Sequence, residues 1–386
     1  MNRILYFFPH NLMNDNMGCI KRAWMLLEYF KERQFQVDLV YSDDFWEGPE
    51  DEVQLKELKD RGSFRNIIKL NKKPTVTDIR TYLKFKLLRV FQRTNKISLP
   101  DFTTTYNRFQ FEMLIKSTEY DYIIINYAYW ANFVKKAKRW KGPRLIIDTH
   151  DFLTSQIQHN SQIDIGNTFK EEIERLQHFH EIWVVSVEEQ YLFSQFCGNK
   201  VRLIPISFPD NCQYNNRSII YDLIYVASDN NHNIESAKWF FEKVFPLLSQ
   251  GIKICVIGKI VDHIPIDCNI HKVRFAGELD SFYKESRLAI CPMLSGTGVK
   301  VKVLEALSFG LPVVATPRGT DGLLNKVGNG CMVAETPREF AESIKSLIEN
   351  RDMYVETREK AINFFRANYA NQAFFELMDH QLMKVS

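Results

Sequence analysis

The stretch Ser295–Pro317, SGTGVKVKVLEALSFGLPVVATP, decides how this chain is to be read. It opens on glycines, runs through small and apolar residues interrupted by Lys300, Lys302 and Glu305, stops at Gly310, and resumes at Pro312 as a β-branched run. Leu288 to Cys291, just upstream, is continuously apolar and reads as a strand. Gly296, Thr297 and Gly298 therefore occupy a strand-to-helix turn, at the edge where α/β sheets bind ligands. Thr297 is the expected N-cap of a helix over Val299 to Phe309. Glycines allow close approach of the backbone, and the unpaired amides at the positive end of a helix dipole suit a phosphate. Lys300 then falls in the first turn, where a cation opposes the dipole unless an anion lies there. Taken alone, Lys302 and Glu305 read as a surface ion pair worth about 0.2 to 0.5 kcal/mol. Thr316 to Gly322, TPRGTDG, forms a second glycine turn on the same side and brings Arg318 near.

The same grammar extends over the rest of the chain. Strand candidates in the second half are Tyr221 to Ala227, Ile252 to Ile257, Val273 to Ala276, Leu288 to Cys291, Pro312 to Thr316 and Cys331 to Ala334, with a helix over Glu235 to Leu248. The first half offers Arg3 to Phe8, Gln36 to Tyr41, Asn66 to Leu70, Tyr122 to Asn126, Arg144 to Asp148, Ile182 to Ser186 and Val201 to Ile206, with an amphipathic helix over Lys21 to Arg33. Most of these runs are apolar throughout, as strands covered on both faces should be. The expectation is two doubly wound α/β domains, and 386 residues are too many for one core. The polar, Pro-containing SFPDNCQYNNRS of Ser207 to Ser218 marks a linker. The domains are then 1–207, the linker 208–218, a second domain 219–365 and a final helix 366–386. Sequence from Thr336 onward reads as helical, and the aromatics of Phe364 to Met378 read as packing.

Composition excludes several classes. Hydrophobic residues at 45% and charged residues at 25% can bury cores, so the chain is not disordered, and a formal net charge of +3 is too weak and too evenly spread to argue for nucleic acid. The cysteine count of 7 is odd and scattered, without a Cys-x-x-Cys pair, which favours a reducing cytosol and neither zinc nor a disulfide framework. The N-terminal MNRILYFFPHN has neither the length nor the cleavage site of a signal peptide, and no run is long and apolar enough to cross a bilayer. A soluble or peripheral cytoplasmic protein is expected. One insert stands apart: Ile79 to Pro100 carries Lys86, Arg89, Arg93 and Lys96 on one helical face and Leu83, Leu87, Val90 and Phe91 on another. That is the pattern of an interfacial helix near an anionic membrane or lipid-linked acceptor, with a solvated basic face as the plain alternative. Asp43 and Asp44 are adjacent, but there is no convincing Asp-x-Asp metal motif.

A glycine turn, a helix bearing Lys and Glu, a Gly-x-Pro strand entry and a second glycine turn together become specific. KVLEALSFGLPVVATPRGTDGL, Lys302 to Leu323, resembles the signature segment of the retaining glycosyltransferases of family four, whose GT-B fold sets two Rossmann-like domains facing each other across a cleft, with a C-terminal helix returning toward the first domain. The likeness spans Tyr221 to Leu347, including YVASDNNHNIESAKWFFEKVFPLL, ICVIGK and VRFAGELDSFYKESRLAICPML, and is looser in IIDTHDF, WVVSVEEQYLF, VRLIPISFP and NDNMGCIKRAW.

The resemblance implies a nucleotide-sugar donor in the cleft, bound mainly by the second domain, with no resident cofactor and no metal. Glu305 matches the second glutamate of the family's Glu-x7-Glu motif and would hold the ribose hydroxyls. Thr297 stands where the first glutamate would be, so GTGVKVK, Gly296 to Lys302, is the variant pattern followed here. The loop Ser228 to Asn233, SDNNHN, has no permanent cation where members often place Arg and Lys, so Lys300, with Lys302 or Arg318 and backbone amides, must supply the positive potential. Ser228, Asn233, Gly296 and Gly298 would line the donor site, Gly18 the first turn facing the cleft. His150 would contact and position the sugar, with Asp151 either orienting it or capping the next segment. The catalytic need is electrostatic support for the leaving diphosphate and placement of the acceptor hydroxyl. A nucleotide-sugar epimerase on the same fold, or a non-catalytic nucleotide-binding subunit, remain the competing expectations.

Overall fold

The computed structural model describes residues 2–13, 18–43, 52–74, 85, 99–136, 142–158, 162–212, 218–265, 270–296 and 298–383. Of the insert 79–100, only Phe85, Leu99 and Pro100 fall among them, and Thr297 does not. Contacts divide the chain into two units, Met1–Val185 with Glu189–Ile204, and Ser186–Glu188 with Pro205–Ser386.

In the first unit the strands β1 (Arg3–Phe7), β2 (Gln36–Ser42), β3 (Asn66–Leu70), β4 (Tyr122–Asn126), β5 (Arg144–Asp148), β6 (Glu181–Val184) and β7 (Val201–Leu203) form a parallel sheet in the order β3-β2-β1-β4-β5-β6-β7. Its helices are α1 (Gly18–Glu32), α2 (Glu52–Gly62), α3 (Thr105–Ser117), α4 (Leu153–Ile157), α5 (Ile165–Leu176) and α6 (Val187–Cys197), the last beginning among the residues that count with the second unit. The apolar runs are central strands buried on both faces, as their composition demands. Phe7 packs its ring 5.0 Å from Trp130 and 4.9 Å from Phe133, and Phe133 stacks on Phe111 at 4.7 Å.

The second unit repeats the plan with β8 (Tyr221–Val226), β9 (Ile254–Ile257), β10 (Ile270–Val273), β11 (Ser286–Cys291), β12 (Val313–Ala315) and β13 (Cys331–Val333), parallel in the order β10-β9-β8-β11-β12-β13. Its helices are α7 (Asn231–Trp239), α8 (Asp280–Lys284), α9 (Val301–Ser308), α10 (Pro337–Glu349), α11 (Arg351–Asn368) and α12 (Asn371–Leu382). In both sheets the order in which strands are added reverses beside the first strand, between β1 and β4 and between β8 and β11. Ligands of open α/β sheets bind at such switch points.

Three local readings are corrected. β10 is Ile270–Val273 and not Val273 to Ala276, because its partner β9 ends at Ile257, opposite Val273, and residues beyond have no neighbour to pair with. The helix expected over Glu235 to Leu248 starts earlier, at Asn231, where Asn230 accepts from the Asn233 amide, and loses regular α geometry after Trp239. It continues as a π turn, Phe240–Val244, and a 3-10 turn, Phe245–Leu247, since Pro246 has no N–H to donate to the carbonyl of Glu242. The helix expected over Val299 to Phe309 is α9, Val301–Ser308, with Lys300 at its N-cap position and no side-chain cap.

α9 ends as expected at Gly310, whose φ is +68°. Leu311 N–H reaches the Ala306 carbonyl at 3.1 Å and Gly310 N–H the Leu307 carbonyl at 2.9 Å, the paired bonds of a Schellman motif. The terminal aromatics are core: Phe365, Tyr369 and Phe374 are each 1% exposed. The helical tail breaks at Tyr369–Ala370, where Phe208 bridges to Ala370, and Asp210 pairs with Arg366 at 2.6 Å.

Candidate functional site

Two polar assemblies stand at sheet edges, one in each unit. In the second unit the exits of β8 and β11 are tied together twice. Ser228 Oγ accepts from the side-chain amides of Asn230 at 3.3 Å and Asn233 at 3.0 Å, and Asn233 Oδ1 accepts from Lys302 Nζ at 2.9 Å. Lys302, expected to pair with Glu305 on one helix face, instead spans from α9 to α7 and lies 5.5 Å from the centre of the Tyr225 ring. The second tie joins His232 Nδ1 to Ser295 Oγ at 2.8 Å, and Ser295 Oγ donates to Glu235 Oε2 at 2.7 Å.

Between these ties runs the glycine turn. Gly296 and Gly298 take φ of +93° and +76°, which side chains rarely adopt. Lys300 is 8% exposed, and its ammonium donates to the carbonyls of Gly298 at 2.9 Å and Gly296 at 3.4 Å. Burial pushes the ammonium groups of both Lys300 and Lys302 below their ordinary pKa. Two partly desolvated cations at the start of one helix raise the local positive potential, the condition under which an anion is stabilised. Further along α9, Glu305 accepts from the Tyr283 hydroxyl at 3.4 Å, while the Tyr283 ring stacks on Phe309 at 5.1 Å.

The turn after β12 closes the same edge. Thr316 caps the 3-10 turn Pro317–Thr320 and hydrogen-bonds through its hydroxyl to the Met293 carbonyl. Arg318 is exposed and pairs with Asp321 at 3.2 Å. Asp321 in turn meets Lys326 at 3.2 Å, and Lys326 meets Glu188 at 2.9 Å.

In the first unit His150 lies two residues past β5, buried, with φ of +60°. Tyr127, just past β4, also has positive φ, +66°, and the two rings stack at 4.3 Å. Left-handed backbone in non-glycine residues is costly and is held by its surroundings. Here Asn126 donates to the Phe7 carbonyl at 2.7 Å, which orients its Oδ1 toward His150 Nε2 at 2.6 Å. Nε2 thus carries the proton and Nδ1 is the accepting nitrogen. Burial holds the imidazole down at about 4, so it is neutral near pH 7.

The carboxylate beside His150 is Asp148, 3.6 Å away, itself clamped by Arg22 Nε and Nη2. The start of α4 is capped by Glu172 of α5, which accepts from the amides of Leu153 at 2.9 Å and Thr154 at 2.8 Å. Gly18 is the exposed first residue of α1. Glu189, near the start of α6, is buried and pushed up to about 8 by desolvation.

The structure therefore gathers Ser228, Asn233, Gly296, Gly298, Lys300, Lys302 and Glu305 on one edge of the second sheet, with Arg318 at its rim, and sets His150 at the edge of the first. Sequence reasoning missed His232, Ser295, Glu235 and Tyr283, whose links to the site run across 63, 60 and 22 positions. It missed Tyr127 and Asn126 as well, although both directly follow or end a strand whose apolar run was plain.

Residues 221–350 match the sequence family Glycosyl transferases group 1. A Klebsiella pneumoniae protein described as an uncharacterized 44.6 kDa protein in the cps region is 26% identical over 159 residues, a stretch covering 37% of this chain and 41% of that one. Among solved structures, Anabaena HepE in complex with UDP and glucose superimposes with a TM-score of 0.68 at 12% identity over 100% of both chains. TarM of S. aureus gives 0.67 at 13% identity, covering 100% of this chain and 99% of that one. Sucrose-phosphate synthase from Thermosynechococcus elongatus gives 0.66 at 13% identity with the same coverage. The fold is GT-B, and the match to the glycosyl transferases group 1 family lies within its second unit.

Proposed function

We propose that the protein is a retaining glycosyltransferase, moving a sugar from a nucleotide-sugar donor to a hydroxyl of a glycan, lipid-linked or protein-linked acceptor in the synthesis of bacterial surface polysaccharide or glycoconjugate. The observation that carries this reading is the meeting of the Gly296–Gly298 turn, Lys300 and Lys302 at the start of α9, at a topological switch point inside the segment that matches the family. The solved complexes of HepE with UDP and glucose favour a uridine nucleotide, and the cps-region relative favours polysaccharide.

In this reading Glu305 accepts from the ribose hydroxyls, with Tyr283 steadying its carboxylate. Lys300, Lys302 and the amides of the glycine turn meet the diphosphate, with Ser228 and Asn233 shaping the same edge and Arg318 at its rim. During transfer the acceptor oxygen bonds to the anomeric carbon as the bond from that carbon to the diphosphate oxygen breaks, and the acceptor proton passes to the leaving diphosphate. Charge therefore grows on the leaving group, where preorganised cations and helix amides act without reorganising. No metal is assigned to that task. His150, neutral and with Nδ1 as acceptor, suits a sugar hydroxyl. The insert 79–100 is assigned to the acceptor side, at the inner face of a membrane; among the described residues no helix is long and apolar enough to cross one.

The test is release of nucleoside diphosphate from UDP-, GDP- and CDP-sugars, alone and with glycan or lipid-linked acceptors. One donor should be consumed, and Lys300→Ala and Glu305→Ala should each lower kcat/KM by roughly tenfold to a hundredfold, the loss of a charge-assisted hydrogen bond. Binding without turnover of any donor would leave the protein a nucleotide binder and defeat the proposal.

A further inference from the structure

We propose that His232 is a further cation of the donor site, contacting the donor diphosphate when its imidazole is protonated, so that donor binding weakens as pH rises. This rests on the donor reading given above. The loop that leaves β8 has no Lys or Arg between Ala227 and Asn233, yet it lies at the switch point where an anion would sit. His232 is the one side chain of that loop that can take up a proton and become cationic.

Its position is fixed. His232 is the second residue of α7, and its ring lies against the phosphate turn, since a Cβ added at Gly296 would stand 3.4 Å from His232 Cγ. The carbonyl of that same Gly296 accepts from Lys300 Nζ. The proton of the Ser295 hydroxyl goes to Glu235, so Ser295 Oγ must accept from His232 Nδ1–H. The tautomer is thereby set, and the nitrogen that gains a proton is Nε2, on the far side of the ring from Ser295. Glu235, acting through Ser295, steadies the imidazolium in the way a carboxylate steadies a histidine through an intervening donor.

The charged groups linked to it are Glu235 on its own helix, through Ser295, Lys300, which donates to the carbonyl of the Gly296 its ring packs on, and Lys302, which donates to the neighbouring Asn233, with Asp229 three residues earlier in the chain. Charges of both signs thus belong to this hydrogen-bonded cluster. A bound diphosphate tips that balance toward the protonated form, and by linkage the protonated form binds the diphosphate more tightly.

A nucleotide sugar is the right probe, because its diphosphate is esterified at both ends and keeps a fixed charge, whereas a terminal phosphate group titrates near pH about 6. Calorimetric titration with UDP-, GDP- and CDP-glucose between pH about 5.5 and about 8.5 should show affinity of the wild type for its donor falling about five- to tenfold as pH rises, the worth of one exposed charge-assisted contact. His232→Gln should bind weakly and without that slope, and His232→Arg tightly without it. Glu235→Gln should keep the slope but move it to lower pH, which a merely structural role for the tie would not do. A flat wild-type profile, or a slope that survives in His232→Gln, overturns the assignment. If the wild type binds with that flat profile and Lys300→Ala does not bind, the donor reading stands while this inference falls; no binding of any probe at any pH overturns both.

Discussion

At His150 and Glu189, burial acts on two ionisable groups in opposite senses within one sheet edge. The imidazole is held at about 4 against an ordinary 6.5, and the carboxyl is pushed to about 8 against 4.5. The folded state therefore resists protonating His150, and the stability this neutral burial contributes is complete above about pH 6.5 and lost as pH falls through about 4. Glu189 has the reverse sign: its contribution is complete below about pH 4.5 and is lost as pH rises through about 8. The spans are at most on the order of 3 kcal/mol for His150 and 5 kcal/mol for Glu189. Urea unfolding across this range should show His150→Gln losing the acid-side decline relative to wild type, and Glu189→Gln losing the decline toward alkaline pH. Variant and wild-type curves that run parallel would mean that neither group is buried in the state that unfolds.

Among elements, α9 is the one whose two ends matter. Its C-terminal stop depends on Gly310, where φ is +68° and an added Cβ would lie 2.8 Å from Cys212 Sγ and 2.9 Å from Ile362 Cγ1. Gly310→Ala is expected to destabilise by roughly 1 to 3 kcal/mol, a lowering of the melting temperature measurable by calorimetry. An unchanged melting temperature would show that Cys212 and Ile362 give way freely.

That stop was legible because Gly310 and Pro312 punctuate the sequence. The start was not. Thr297 looks like a cap, yet the helix waits until Val301, because the glycine turn takes left-handed backbone at both Gly296 and Gly298 and Lys300 ties itself to their carbonyls. The central strands were legible because strands covered on both faces are written as unbroken apolar runs. β10 was misplaced because an edge strand's extent is set by its neighbour β9 and not by its own residues. His232 and Ser295 were illegible as a pair, since only the sheet order brings the exits of β8 and β11 together.

On the scale of the molecule, two sets of apolar strands announce two cores, and the two parallel sheets carry them. Which residues count with which unit is subtler. Contacts divide the chain between Ile204 and Pro205 and assign Ser186–Glu188 to the second unit, where Glu188 meets Lys326. No local signal in the polar loop residues foretells that ion pair. The second unit also holds both the family match and the cluster of Lys300, Lys302 and Glu305. The central claim is that a nucleotide sugar sits there, against the exits of β8 and β11.

Amide hydrogen exchange with and without a saturating nucleotide sugar tests that claim most directly, because protection reports where backbone amides are sequestered. The account predicts slowed exchange in Ala227–Glu235 and in Met293–Glu305, abolished in both segments by Lys300→Ala at the same ligand concentration. Protection that falls elsewhere and spares both segments would contradict it.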